Sequence, residues 1–310
     1  MIVIRDIRDF PVLPRAVVTS GTFDGVHVGH QKIIQRLLEI TRATQGQSVV
    51  VTYWPHPRLV LDAANQTPLG LLSTIEERIE QLATFPIDYL LIIPFTREFS
   101  ELSSEKYIQE ILRQTIQTKI LVIGYDHHFG KNREGDFAYL QQHAPTWGFR
   151  VEEIPAQDID HIAVSSTRIR KALETGNIST ANAFLGRPYS LTGTVVTGKQ
   201  LGRTIGYPTA NISVTDTHKL IPAQGIYAVE VMVGGQIYGG MLSIGTNPTV
   251  GGTIQTIEVN IFDFDADIYD QSLTIRFIAY IRAEEKFSGL EQLQLNLQHD
   301  KETALALLNW

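Results

Sequence analysis

Two textures of hydrophobic patterning divide the chain. From residue 16 to about 184, short β-branched runs alternate with stretches whose apolar positions recur at helical spacing, the signature of a parallel sheet covered by helices. Strands are predicted at 16–20, 48–53, 89–94, 120–124 and 150–154. Between them, Ile33, Ile34, Leu37 and Leu38 mark one helix, and Ser73 with Glu76 forms a candidate capping box before Ile79, Leu82 and Ala83. A doubly wound α/β domain follows from this alternation.

After Arg187-Pro188 the pattern changes to alternating strands punctuated by Gly and Pro, at 191–197, 226–233, 237–244, 257–262 and 273–281. In the last, Leu273, Ile275, Phe277, Ala279 and Ile281 share one face, while Thr274, Arg276 and Arg282 share the other. Half-buried antiparallel strands of this kind predict a small barrel. A terminal helix is expected after Ser288, which pairs with Glu291 as a second capping box, with Leu290, Leu293 and Leu297 as its apolar stripe. The domain boundary is expected near 184–188, giving domains of 1–185 and 186–310.

Composition narrows the function. A chain of 310 residues is long enough for two such domains. With 26 Lys and Arg against 33 Asp and Glu, the net charge of −7 and the lack of a basic run argue against a nucleic-acid binder. The absence of cysteine excludes disulfides, thiolate metal sites and cysteine nucleophiles in this chain. The opening MIVIRDIRDF lacks the layout of a signal peptide, and the apolar run at 89–95 is too short to span a bilayer, so a cytoplasmic protein without membrane association is expected.

The first candidate site follows the first strand of the α/β half. Residues Gly21, Thr22, Phe23, Asp24, Gly25, Val26, His27, Val28, Gly29 and His30 lead directly into a helical pattern. Glycines stand where backbone must approach a ligand closely, and two imidazoles stand at a helix N-terminus, where N–H groups and the dipole favour phosphate. A second helix start at Ser165-Ser166-Thr167-Arg168-Ile169-Arg170 offers hydroxyls and guanidiniums for the outer phosphates of a nucleotide, although serine and threonine also cap helices with no ligand present.

In the C-terminal half, Gly198, Gly202 and Gly206 lie four apart around Lys199, Gln200 and Arg203, a flexible loop able to approach phosphate. Thr209 and Asn211 follow two residues apart, so on extended backbone their oxygens face one side and can complete a magnesium shell already rich in phosphate oxygens.

The string at 21–30 resembles the adenylyltransferase half of the bacterial bifunctional riboflavin kinase/FAD synthetase family. Tyr53-x-Pro55-His56-Pro57, Ile123-Gly124-x-Asp126-x-x-Phe129-Gly130 and Arg133-x-Gly135-Asp136 are also similar, so the resemblance spans most of 16–176. The stretch 202–211 looks like the signature of riboflavin kinases, and Gly225-Ile-Tyr-Ala228, Ile244-Gly-x-Asn247-Pro248-Thr249 and the segment opening at Glu258 extend that likeness to about 288.

The resemblance implies a Rossmann-like nucleotidyltransferase domain followed by a riboflavin kinase barrel. It implies that ATP phosphorylates riboflavin to FMN and then adenylylates FMN to FAD with release of pyrophosphate, both steps with Mg²⁺. His27 and His30 would stabilise charge on the transferring phosphate, with nucleotide or flavin contacts at Gly21, Thr22, Phe23, Asp24, Gly25, Asp126, Ser166, Thr167 and Arg168. In the barrel, Glu258 matches the catalytic base and Thr209 and Asn211 the metal contacts. Gly198, Gly202, Arg203, Gly206, Pro208, Asn247 and Arg282 are the further binding candidates.

Two departures stand out. The family usually reads Asp-Phe-Arg-Phe-Gly where this chain has Asp126-His127-His128-Phe129-Gly130, and many relatives have His where this chain has Asn260. The paired histidines leave open a loop with altered contacts, a metal site, or loss of adenylylation that would leave a kinase alone. The acidic run Asp263, Asp265 and Asp267 reads as a solvated hairpin rather than a calcium loop, because no Glu stands at the twelfth position. A flavin-binding storage or regulatory protein with degenerate loops is the rival from another class, and no protein partner is indicated.

Overall fold

The computed structural model describes residues 1–62, 69–124, 129–131, 134–154, 164–198, 202, 205–249, 252–285, 287 and 289–309; for 247–249 and 252–254 only the backbone is described. The chain divides into two compact units, Met1–Ser166 and Thr167–Trp310.

The first unit is built on six parallel strands, β1 (Ile2–Ile4), β2 (Ala16–Ser20), β3 (Gln47–Trp54), β4 (Tyr89–Pro94), β5 (Thr118–Gly124) and β6 (Arg150–Ile154), in the spatial order β1-β4-β3-β2-β5-β6. Successive residues point to opposite faces, and each face has its own core. Val18, Val49, Val51 and Leu91 pack on one side, and Val17, Val50, Leu90 and Val122 on the other. Burial on both faces explains why the inner strands β2, β3, β4 and β5 read as largely apolar runs.

The chain winds outward from β2 through β3 to β4, then returns to place β5 on the other flank of β2. The carboxyl end of β2 is therefore the topological switch point, where open α/β sheets form their ligand crevice. Helix α1 (Val28–Thr44) leaves from this point.

Most predicted strands recur within a residue or two. Strand β1 was not expected, since it has three residues, two of them exposed, at the edge of the sheet. The capping box before the helix Ile75–Ala83 is formed by Thr74 and Glu77, one residue beyond the expected Ser73 and Glu76. Ser73 is engaged elsewhere, bonding Asp24 and Gly25.

In the second unit β7 (Tyr189–Val196), β8 (Ala210–Ser213), β9 (Gly225–Val233), β10 (Gln236–Thr249), β11 (Gly252–Ile261) and β12 (Ser272–Arg282) close an antiparallel barrel in the order β10-β11-β8-β7-β12-β9. The helix Ile178–Leu185 packs on it, with Asn182 Nδ2 donating to Phe277 O at 2.8 Å and Asn182 Oδ1 accepting from Tyr189 N at 2.8 Å. The last turn of the helix Ser166–Glu174 is tied to the same unit, where Leu173 O accepts from Ala223 N at 2.9 Å.

The even alternation expected along β12 holds only as far as Phe277. Register shifts against β9 follow, turning Ile278, Ala279 and Ile281 together toward the terminal helix Leu290–Leu308. Gly289 is that helix's N-cap and makes no side-chain capping bond, while Ser288, the expected cap, lies outside the described residues.

Candidate active sites

The turn after β2 is held in an unusual backbone conformation. Phe23 (φ 47°), Gly25 (φ 77°) and Val26 (φ 40°) all lie in the left-handed region within four residues. For a β-branched residue that conformation costs of order 1–3 kcal/mol, and such strain concentrates at functional sites whose surroundings enforce it. Here the enforcement is burial and hydrogen bonding. Phe23 and Val26 are sealed in the core, and the buried Asp24 carboxylate accepts from Leu72 N at 3.0 Å, Ser73 N at 3.1 Å and Ser73 Oγ at 3.3 Å. Gly25 N donates to Ser73 Oγ at 3.1 Å, and Gly21 N to Val51 O at 3.0 Å.

His27 is the N-cap of α1, its Nδ1 accepting from His30 N at 3.3 Å. A neutral ring accepting at Nδ1 carries its proton on Nε2, which makes that atom a donor. The two imidazoles stack at 3.6 Å between centroids, and the Phe23 ring meets His30 edge-on at 5.1 Å. Two imidazoles are thus fixed over a helix N-terminus, where the dipole favours anions. Ser166, the last residue of the first unit, donates through Oγ to Asp24 O at 3.2 Å. Thr167 and Arg168 follow it and are exposed. Asp126, His127, His128 and Arg133 lie outside the described residues.

The barrel site centres on Glu258. Asn211 of β8 is its direct cross-strand partner on β11, and Thr209 Oγ1 donates to Glu258 Oε2 at 3.3 Å. Asn260, two residues beyond Glu258, is buried and donates through Nδ2 to Pro208 O at 2.7 Å, fixing the Pro208–Thr209 approach. That tie was not legible in the spacing.

Glycines serve close approach here. A Cβ on Gly198 would stand 2.0 Å from Asn211 Nδ2, and one on Gly202 would stand 2.2 Å from Tyr207 O. Gly206 has φ 85°, while Arg203 and the Asn247 side chain lie outside the description. A cavity of about 290 Å³ opens beside this loop, among Gly206, Tyr207, Pro208, Asn260, Phe262 and Lys301.

Arg282 is placed differently from the other barrel candidates. Its guanidinium makes a bidentate pair with the fully buried Asp300, Nε to Oδ1 at 2.8 Å and Nη2 to Oδ2 at 2.6 Å. This joins β12 to the terminal helix and raises the arginine's pKa above its ordinary value. Asp263, Asp265 and Asp267 are exposed, and no group of three or more metal-ligating His, Cys, Asp or Glu occurs among the described residues. A larger cavity of about 620 Å³ lies among Arg15, Lys119 and Arg150 at the amino ends of β2, β5 and β6, the opposite end of the sheet from the His27–His30 turn.

Family comparisons agree with the division of the two sites. Residues 10–168 match the FAD synthetase family model and residues 185–308 the riboflavin kinase model. A bifunctional riboflavin kinase/FMN adenylyltransferase of Escherichia coli K12 is 36% identical over 307 residues, 98% of this chain and 97% of that one. Its counterpart in Listeria monocytogenes is 37% identical over 94% of this chain and 91% of its own. A solved structure from Streptococcus pneumoniae, described as a macrolide-efflux protein, superposes with a TM-score of 0.86 at 31% identity, covering 100% of this chain and 99% of that one. Among the described residues no helix is long and apolar enough to cross a membrane. By near full-length identity and by both halves, the chain belongs to the bifunctional riboflavin kinase/FMN adenylyltransferase family.

Proposed function

We infer that each half of the chain performs the reaction named by its family model: the barrel phosphorylates riboflavin to FMN, and the α/β half adenylylates FMN to FAD. The observation that carries this over the kinase-only and storage readings is that one chain keeps both the stacked His27–His30 pair and the Thr209–Glu258 pair.

In the kinase step Glu258 takes the proton of the ribityl 5′-hydroxyl as that oxygen attacks the γ-phosphorus of ATP, and ADP leaves. The Thr209 hydrogen bond and the Asn260 tie to Pro208 orient that carboxylate and its loop. Thr209 and Asn211 supply neutral hard oxygens next to a carboxylate, a donor set that fits Mg²⁺ bound mainly through phosphate oxygens. The ion would hold the phosphates and neutralise charge on them.

In the adenylyl step a phosphate oxygen of FMN attacks the α-phosphorus of ATP and pyrophosphate leaves. The nucleophile is already anionic, so this step needs positioning and charge stabilisation rather than a base. His27 and His30 supply the donors at the α-phosphate, and Ser166, Thr167 and Arg168 bind the outer phosphates. The turn from Gly21 to Gly25 borders the nucleotide and flavin, and the family resemblance adds Asp126 as a further contact.

The functional boundary lies at 185/186, which the start of the kinase match at residue 185 supports. Dependence on ATP for both steps favours a cytoplasmic location. Incubation with riboflavin, ATP and Mg²⁺ followed by chromatography tests the whole reading. FMN followed by FAD is expected; FMN alone would leave a kinase, and unchanged riboflavin would favour the storage protein.

A further inference from the structure

Among the described residues Arg78, on the helix Ile75–Ala83, is the largest wholly buried side chain. Burying a guanidinium costs several kcal/mol unless its surroundings compensate. Its Nη1 donates to Thr52 Oγ1 and to Tyr53 O, each at 3.2 Å, whereas its Nε and Nη2 have no hydrogen-bond partner among the described residues. The Trp54 ring lies 5.6 Å from its Cζ. Burial pushes its pKa down from the ordinary value, and the Asp24 carboxylate acts the other way. Such a costly group is not explained by packing, which a methionine would satisfy.

What it holds is the turn of the adenylyl site. Thr52 Oγ1, which accepts from Arg78, donates to Thr22 O at 3.1 Å. The same segment, five and six residues earlier, binds the other side of the turn, since Leu72 N, Ser73 N and Ser73 Oγ all bond Asp24. Residues 72–78 therefore grip the strained Thr22–Val26 backbone at two points, and His27 and His30 follow it directly.

We propose that Arg78 is a positioning residue for adenylyl transfer: through Thr52 and Thr22 it fixes the turn that aims His27 and His30. This rests on the adenylyltransferase reading of that site. Because the histidines act on charge developing at the α-phosphate, misplacing them lowers kcat rather than substrate affinity.

The test uses the full-length chain with FMN, ATP and Mg²⁺, read beside its own kinase step. Arg78→Met is expected to lower the kcat of FAD formation about 100-fold, the scale of a misplacement near 1 Å. KM for FMN and ATP should stay within about three-fold, and riboflavin phosphorylation within about two-fold, as expected when only transition-state interactions are lost. Arg78→Lys, which keeps the charge but not the fork, should recover part of the loss. Thr52→Val removes the hydroxyl that links Arg78 to Thr22 while leaving the guanidinium its bond to Tyr53 O, and should lower kcat about ten-fold, the scale of a hydrogen bond or two.

Amide exchange of the 21–30 segment, measured without substrate, should speed up in Arg78→Met and Thr52→Val. Normal kcat in both variants, or unchanged exchange in both, overturns the proposal. If Arg78→Met unfolds the first unit, the Thr52→Val result decides. Wild-type protein that makes FMN but no FAD would instead overturn the adenylyltransferase reading, and the exchange rates would still judge the role of Arg78.

Discussion

Thr209 Oγ1 donates to Glu258 Oε2 across 3.3 Å, joining the loop before β8 to the strand that carries the proposed base. The contact orients a carboxylate that must accept a proton. Replacing Glu258 by Gln keeps the shape and removes the basicity. A general base contributes about 10²- to 10⁴-fold, so FMN formation should fall by that factor. FAD formation from supplied FMN should stay at the wild-type rate, because the other site needs no base. Paired assays of E258Q with riboflavin and with FMN check this; normal FMN production would remove Glu258 from the mechanism.

The complementary variant is His30→Ala. The ring lies between Phe23 and His27, and its loss removes one donor at the α-phosphate without removing the Nδ1 cap of His27 on the His30 backbone N–H. Loss of one such donor costs about 10²- to 10³-fold in kcat. With riboflavin and ATP the variant should accumulate FMN with little FAD. Loss of both activities would mean that the lesion reaches beyond this site.

Much of this was legible in sequence because the signals are local. The strand-to-helix transition at Ser20–His30 and the i, i+2 relation of Thr209 and Asn211 follow from backbone periodicity. Long-range ties were not legible: nothing in the spacing joins Asp24 to Ser73, Thr22 to Thr52 or Asn260 to Pro208, because folding brings these pairs together from distant parts of the chain. Strand β8 was hidden for another reason. It has four residues, and its turn-rich flanks outweigh them in any window. The bulge in β12 broke a clean alternation whose cause, the terminal helix packed beneath it, lies outside the strand.

Arg282, expected among the binding residues, is the clearest case of a charge whose partner decides its role. Asp300 is fully buried and its carboxylate takes both arms of the guanidinium. Removing one member of a buried pair leaves the other uncompensated and costs about 3–5 kcal/mol. Asp300→Ala should therefore lower the denaturation midpoint of the barrel unit, while KM for riboflavin and ATP in the folded fraction stays near wild type. A large KM change with unaltered stability would instead support a binding role for Arg282.

Tyr53 and Tyr107 make an alkaline limit for the first unit. Their hydroxyls lie 2.8 Å apart, and burial pushes both pKa values above the ordinary tyrosine value, for Tyr53 most strongly. The sign follows from proton counting. Below pH 10 both residues are neutral folded or unfolded, and they add no pH dependence. Above about pH 10 the unfolded chain releases their protons while the folded chain keeps them, so stability falls as pH rises. Each raised group contributes up to about 1.4 kcal/mol per pH unit, hence about 2.8 for the pair. Urea unfolding at several pH values between 8 and 11 should show a flat region and then this decline, and the Tyr53→Phe/Tyr107→Phe double variant should lose most of the slope. An equal decline in the double variant would assign the alkaline loss to other groups.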